Sequence, residues 1–367
     1  MRVIILAAGS ATRLRPLSNS LPKTLIPVCN IPILARILQG LDAAGIRSAT
    51  VTLPNAGKET TERAMSAAPP GFLLDLFFPA GPFPGSAAMV RSLLRPDDGT
   101  VLVIYGDSLL SVDFSDLLMF HERARKLGGS ASILCHRPLD IRAVEADGCS
   151  LYGVMSIAEN RRITRFVEKP RVGEIRLGFD LANAAVFIVE QELLKDTRLS
   201  GAKDFSYDVF QPAVNAYLTP LFACDIGEGF RYDIGGLRRL YLANMDVLNG
   251  RMPAPLPGQE ERPGVWTGST RILKSVRVVP PVLIGDGVEI ANGAEIGPDV
   301  VLGDRCWIGA GSVIRHSILL EECCLLSGVT MDYCILGSRC KIGPDVALPH
   351  FTAMDASGFI GQQLWSK

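Results

Sequence analysis

The residues best suited to chemistry gather in the first loop. A short apolar run, residues 3–8, ends in Gly9-Ser10-Ala11-Thr12-Arg13, and Lys23 follows directly after Pro22. A small-residue turn after a strand lets backbone N–H groups approach a phosphate or a base edge closely. Arg13 and Lys23 would add fixed positive charge suited to a polyphosphate. Taken alone, the same residues also describe an ordinary tight turn with solvated basic side chains. There is no G-x-G-x-x-G and no G-x-x-x-x-G-K-[ST], so neither a dinucleotide fingerprint nor a P-loop is present.

The elements that would position this loop alternate along the first 250 residues. Residues 33–44 carry Ile33, Ile37, Leu38 and Leu41 at helical spacing, with Gly45 behind them as a C-cap. Residues 49–53 and 101–105 read as further strands, the second ending at Gly106-Asp107. Strands alternating with helices predict an α/β fold, a Rossmann-like mixed and mostly parallel sheet with flanking helices. Ligands of such sheets bind beyond the carboxyl ends of the strands, which puts Gly9 and Asp107 on one rim.

Composition bounds the rest. A chain of 367 residues, 48% apolar and 20% charged, has room for two domains and a sizeable core. Its 37 basic and 38 acidic residues give a net charge of −1, which argues against disorder and against gripping nucleic acid by bulk charge. No apolar stretch is long enough to span a membrane, and the opening eight residues are too short for a signal peptide. Nine cysteines without C-x-x-C spacing indicate neither a disulfide framework nor a zinc site. The expectation is a cytoplasmic protein without a membrane or nucleic-acid partner.

Past Pro253, Pro255, Pro257 and Pro263, which read as a linker over 251–270, the pattern changes to a period of six. Ile272, Val278, Ile284, Ile290, Ile296, Leu302, Ile308, Ile314, Leu320 and Leu326 recur at six-residue spacing, and the run slips and resumes at Leu336, Ile342 and Leu348. Glycine often follows (Gly285, Gly297, Gly303, Gly309), and small or branched residues, Cys306 among them, stand two places before. Cys324 is assigned to the same small corner position. A helix would scatter every sixth residue over drifting faces; a β-solenoid with one short wall per repeat fits. The expected layout is a catalytic domain over 1–250, the linker, a hexapeptide-repeat β-helix over 271–350 and a tail over 351–367. Exposed faces and ends of such a coil predict a homo-oligomer formed through the C-terminal domain.

The order A-A-G-x-x-T-R-L-x-P-L followed by P-K-x-L-x-P-V resembles the sugar nucleotidyltransferases, or nucleotide-sugar pyrophosphorylases. Further matches run through the first 250 residues: Gly85-Ser86-Ala87-Ala88-Met89 with G-T-A-G-A-L, Tyr105-Gly106-Asp107 with a strand-end G-D, and Tyr152-Gly153-Val154 with Y-G-V. Phe166-Val167-Glu168-Lys169-Pro170 matches F-x-E-K-P, Asn183 the N-A-G segment, and Tyr232-Asp233-Ile234-Gly235 the W-x-D-I-G segment. With the repeat domain behind it, the layout is most similar to that of mannose-1-phosphate guanylyltransferases, whose coil is a left-handed β-helix.

The resemblance implies residue roles. Leu6, Ala7, Ala8, Gly9, Ser10, Ala11, Thr12, Gly85 and Ser86 would bind a nucleoside triphosphate. Arg13 would steady the leaving pyrophosphate, and Lys23 would neutralise the phosphates during attack. Asp107, also counted as catalytic, would hold Mg²⁺ together with Asp233, a hard cation suited to oxygen ligands beside phosphates. Gly153, Glu168, Lys169 and Asn183 would hold the sugar-1-phosphate. The favoured reaction is transfer from GTP to mannose-1-phosphate. A glucose-1-phosphate thymidylyl- or uridylyltransferase, and a non-catalytic regulatory subunit, are alternatives. His316 alone would support an acyltransferase coil and reads better as structural.

Three departures stand out. Ala11 replaces the family's second glycine, Ala185 replaces the glycine of N-A-G, and Pro79-Ala80-Gly81-Pro82-Phe83-Pro84 lacks the acidic or amide residue usual there. The role of residues 204–208 is open.

Overall fold

The structure, a computed structural model, describes residues 1–54, 57–138, 148–175, 178–227, 230–270 and 275–358. Ile272 and the end of the tail lie outside them.

Strand β1 (Arg2–Leu6) is central because successive residues bury on opposite faces. Val3 and Ile5 join one apolar cluster, while Ile4 and Leu6 join the other. Helix α1 (Ile33–Ala43) supplies its apolar stripe to the first cluster. β1 pairs in parallel with β2 (Ser48–Thr52), which after α2 (Gly57–Ser66) pairs in parallel with β3 (Leu73–Phe77). Past α3 (Ser86–Leu93), β4 (Thr100–Tyr105) pairs in parallel on the other side of β1, and β5 (Ser108–Ser111) follows at its end.

Helix α4 (Phe114–Lys126) starts at Asp113, whose carboxylate accepts from Ser115 N and caps it. It leads to β6 (Ala131–His136), β7 (Val154–Ile157) and β8 (Ile163–Val167). The ten-residue β9 (Leu181–Glu190) lies antiparallel to β4, β6 and β7. The sheet order is β8-β7-β9-β4-β1-β2-β3, with β6 on β9 and β10 (Leu221–Asp225) parallel to β6. The mixed α/β sheet expected from the alternation is thus present. Separately, β11 (Phe230–Asp233) pairs antiparallel with β5, just before α5 (Leu237–Leu248).

The C-terminal part forms three parallel sheets visited in turn. Its first elements lie inside the 251–270 stretch: β12 (Gln259–Arg262) and β13 (Val265–Thr267) form a hairpin, and β13 pairs in parallel with Val282–Ile284. Pairing also reaches into the expected tail, where Ala353–Met354 lies beside Ile335–Leu336. Glycines follow the apolar walls because the next turn lies so close: a Cβ on Gly303 would stand 2.5 Å from Glu321 N.

The six-residue rhythm needs one correction. Ile284 pairs with Leu302, a step of 18, but Leu302 pairs with Leu319 and Leu319 with Leu336, steps of 17. The inward ladder therefore runs Ile314, Leu319, Leu325, Met331, Leu336, Ile342. Leu320 packs toward the N-terminal core instead, and Leu326 is 44% exposed. The residue is lost at a corner: Gly297-Pro298-Asp299 fills one turn, whereas only Arg315-His316 and Asp332-Tyr333 fill the next two. His316 and Tyr333 both take left-handed backbone there and stack at 4.5 Å with planes 8° apart. By the same shift Cys323, not Cys324, shares the buried corner column with Cys306 and Cys340.

Leu283, Val301, Ile318 and Ile335 from one of these sheets pack into the same cluster as Leu17, Leu21 and Leu25. The repeat region thus closes the underside of the segment that carries Lys23. Among the described residues no helix is long and apolar enough to cross a membrane.

Candidate active site

A cleft of about 330 Å³ opens beyond the carboxyl ends of β1 and β4. Leu6 to Arg13 form one wall, and Lys23, Ser86 and Asp107 also line it. The first-loop residues, Ser86, Arg13, Lys23 and Asp107 are therefore brought together. Gly85 adjoins this lining, and its φ of 105° with the Lys203 carbonyl behind it admits no side chain. Ala87 N and Ala88 N both donate to that Lys203 carbonyl, at 2.8 and 3.2 Å.

Pairing of β5 with β11 sets Asp233 opposite Ser108, and so beside Asp107. Lys23 Nζ sits between the carboxylates, 2.9 Å from Asp107 Oδ2 and 3.5 Å from Asp233 Oδ1. Arg239 Nη1 meets the other Asp233 oxygen at 2.6 Å. Burial pushes the Asp233 carboxyl up, but Lys23, Arg231, Arg239 and Arg13 outweigh it and hold it below its ordinary value. Arg13 reaches this group as well, with Nη2 3.4 Å from where a Cβ on Gly235 would lie.

The donor set suits Mg²⁺ in kind. It offers two carboxylates with hard oxygens, and no group of three or more metal-ligating side chains gathers among the described residues. A metal here would complete its shell from phosphates and water, as Mg²⁺ does.

Gly153, Glu168 and Asn183 form a second group, which is not part of the lining of this cleft. Asn183 N donates to the Gly153 carbonyl at 2.8 Å, and Asn183 Nδ2 donates to Ser206 Oγ at 3.3 Å. A Cβ on Gly153 would run into Glu168 Oε2, so a side chain there would displace that carboxylate. That oxygen is enclosed and has no hydrogen-bond partner among the described residues. Burial, then the charge of Asp204, pushes the Glu168 carboxyl up to about 7 against Ser206, Lys169 and Arg231. Lys169 takes left-handed backbone, φ 43°, and its side chain is exposed.

Both alanines that replace family glycines are strained. Ala11 has φ 47° and Ala185 φ 58°, the left-handed region. Ala185 lies where the β9–β6 register shifts, and its N–H is held by Asn183 Oδ1 at 2.8 Å.

Several site residues escape sequence reasoning. Asp204 lines the cleft, caps the π-helical turn Phe205–Phe210 through Ser206 N and Tyr207 N, and accepts from Ser86 Oγ at 3.0 Å. Phe83 lines the same cleft. The only sequence signal for Arg239 is its place shortly after Asp233-Ile234-Gly235.

Comparison with known proteins assigns the chain a family. Residues 2–250 match the family described as "Nucleotidyl transferase", and residues 278–360 match "GMPPB C-terminal domain". A UTP–glucose-1-phosphate uridylyltransferase of Synechocystis is 28% identical over 93% of this chain and 88% of its own length. A mannose-1-phosphate guanylyltransferase catalytic subunit beta of Danio rerio is 28% identical over 100% and 94%. Mannose-1-phosphate guanylyltransferase 1 of Arabidopsis thaliana is 26% identical over 100% and 94%. The first of these family models spans well over half of the chain, so the protein belongs to the nucleotidyl transferase family.

Proposed function

We propose that the protein transfers a nucleotidyl group from a nucleoside triphosphate to a hexose-1-phosphate, with GTP and mannose-1-phosphate as the favoured pair. The observation that carries this reading is Lys23 held between Asp107 and Asp233 in a cleft walled by the first loop. Full-length relatives named as guanylyltransferases support the choice of pair.

In the reaction an oxygen of the sugar phosphate attacks the α-phosphorus of the triphosphate. One P–O bond forms, the bond to the β-phosphate breaks, and its electron pair leaves with pyrophosphate. The nucleophile is already an anion, so the site needs charge and alignment more than a base. Lys23 would offset the charge of two approaching phosphates, and Arg13 would steady the pyrophosphate. Gly9 to Thr12 would lie along the triphosphate, with Gly85 and Ser86 nearer the base. Glu168 Oε2 would accept from a sugar hydroxyl, Asn183 and Gly153 would shape the sugar pocket, and Lys169 would hold the sugar's phosphate. Asp107 and Asp233 would hold Mg²⁺, which supplies Lewis-acid screening of the phosphates.

The repeat region reads as a left-handed β-helix behind a catalytic domain over 1–250, and it is the proposed oligomer contact with a second copy. Trp307, 43% exposed, and Leu326, 44% exposed just past the end of the neighbouring strand Cys324–Leu325, support that contact. Nine cysteines carried as thiols suit a cytoplasmic setting. Uridylyl transfer to glucose-1-phosphate is the second reading, favoured by the Synechocystis relative.

The test is to incubate the full chain with Mg²⁺, each common nucleoside triphosphate and a panel of sugar-1-phosphates, and to identify products by mass. GDP-mannose should dominate. UDP-glucose as the main product would select the second reading, and no nucleotide-sugar from any pair would overturn both.

A further inference from the structure

The lining of the cleft divides by chemistry. Arg13, Lys23, Asp107 and Gly235 belong to one charged group, joined by the contacts around Asp233. Phe83 and Ser86 belong to the other side, where the loop before α3 meets Lys203 and Asp204. A triphosphate suits the first group. A nucleobase is a flat, uncharged ring system, and it gains most from an exposed aromatic face.

Phe83 offers such a face: it is 40% exposed, yet lines the cleft. It stands between Pro82 and Pro84, so its backbone is stiffened from both sides and has little freedom to lose on binding. The loop is anchored at Gly85, pressed against the Lys203 carbonyl that receives Ala87 N and Ala88 N.

On this side the Asp204 carboxylate, which also lines the cleft, is engaged by Ser86 Oγ, Ser206 N and Tyr207 N. Residues 79–84 carry no side chain able to hydrogen-bond. The Ser86 hydroxyl donates to Asp204 and accepts from Phe205 N, both at 3.0 Å, so its one proton is committed inside the protein.

We infer that Phe83 is the nucleobase platform of this cleft, supplying by stacking the affinity that polar side chains of the same loop cannot. The inference rests on the nucleotidyl-transfer reading above. Because every base has a π-face, stacking accepts all of them and favours the larger purine rings. Discrimination at this loop is then by ring size, guanine and adenine against the pyrimidines.

The test is calorimetric binding of GTP, ATP, UTP and inorganic tripolyphosphate to the full chain, unaltered and as F83A, F83L and F83Y. F83A should weaken all three nucleotides about tenfold or more, most strongly the purines, and leave tripolyphosphate unchanged. F83Y should restore binding, and F83L, apolar but not aromatic, should not. Nucleotide binding unchanged in F83A, full rescue by F83L, or equal weakening of tripolyphosphate would each overturn the platform while leaving nucleotidyl transfer standing. No binding of any nucleotide by the unaltered chain would overturn both.

Discussion

Lys23 Nζ approaches Asp107 Oδ2 at 2.9 Å and Asp233 Oδ1 at 3.5 Å, so a single ammonium serves two carboxylates from opposite sides of a β-ladder. Without it, burial would work against Asp233 with only the arginines opposing. Lys23→Met should therefore raise the Asp233 pKa toward its ordinary value. A carboxyl held low stabilises the fold above its unfolded pKa and stops doing so as pH falls through the folded one. The melting-temperature gap between unaltered protein and K23M should be widest at neutral pH and narrow below about pH 4. A gap that is constant across pH would remove the coupling.

Ala11 and Ala185 pose the opposite question, since both occupy backbone suited to glycine. Left-handed φ costs an L-residue roughly 1–2 kcal/mol, partly offset by glycine's greater unfolded-state entropy. Ala11→Gly and Ala185→Gly should each raise stability by about 1 kcal/mol in urea titrations. The sites lie in separate elements, so the double variant should give the sum. Destabilisation by either change would mean that its methyl group packs usefully.

The Glu168 carboxyl, pushed up to about 7 by burial, titrates in reach of assay conditions. From its ordinary value of 4.5 up to 7 the folded protein holds this proton more tightly than the unfolded chain does. Stability contributed by the raised pKa is thus present at low pH and lost as pH rises through that window. Glu168→Gln should flatten the unaltered protein's decline between pH 5 and 7, measured by chemical denaturation. Parallel curves for the two proteins would show that burial does not perturb the group.

Much of this was legible from local patterns. The unbroken apolar run at 3–6 announces a strand buried on both faces, and Gly85 and Gly153 mark places where backbone or a carboxylate comes close. The solenoid rhythm could be followed to Ile314 and again from Leu336 through Ile342 and Leu348, but not between them. Losing one corner residue at His316 leaves Leu320 and Leu326 in six-residue count while moving Leu319 and Leu325 inward. Neighbouring aliphatics at both positions hide the slip. Asp204 and Phe83 were missed for another reason. Their work depends on packing between the 83–88 and 203–207 segments, which no local spacing encodes.

Asp107→Asn tests the central claim most directly. The substitution keeps the shape of the side chain and removes a charge from the group shared with Lys23. Pyrophosphate release, measured with Mg²⁺ and the preferred substrate pair, should fall by roughly a hundredfold or more, the scale of losing a key electrostatic group. The melting temperature should stay close to that of the unaltered protein. Release at the unaltered rate would contradict the account, because the carboxylate pair would then have no part in the chemistry.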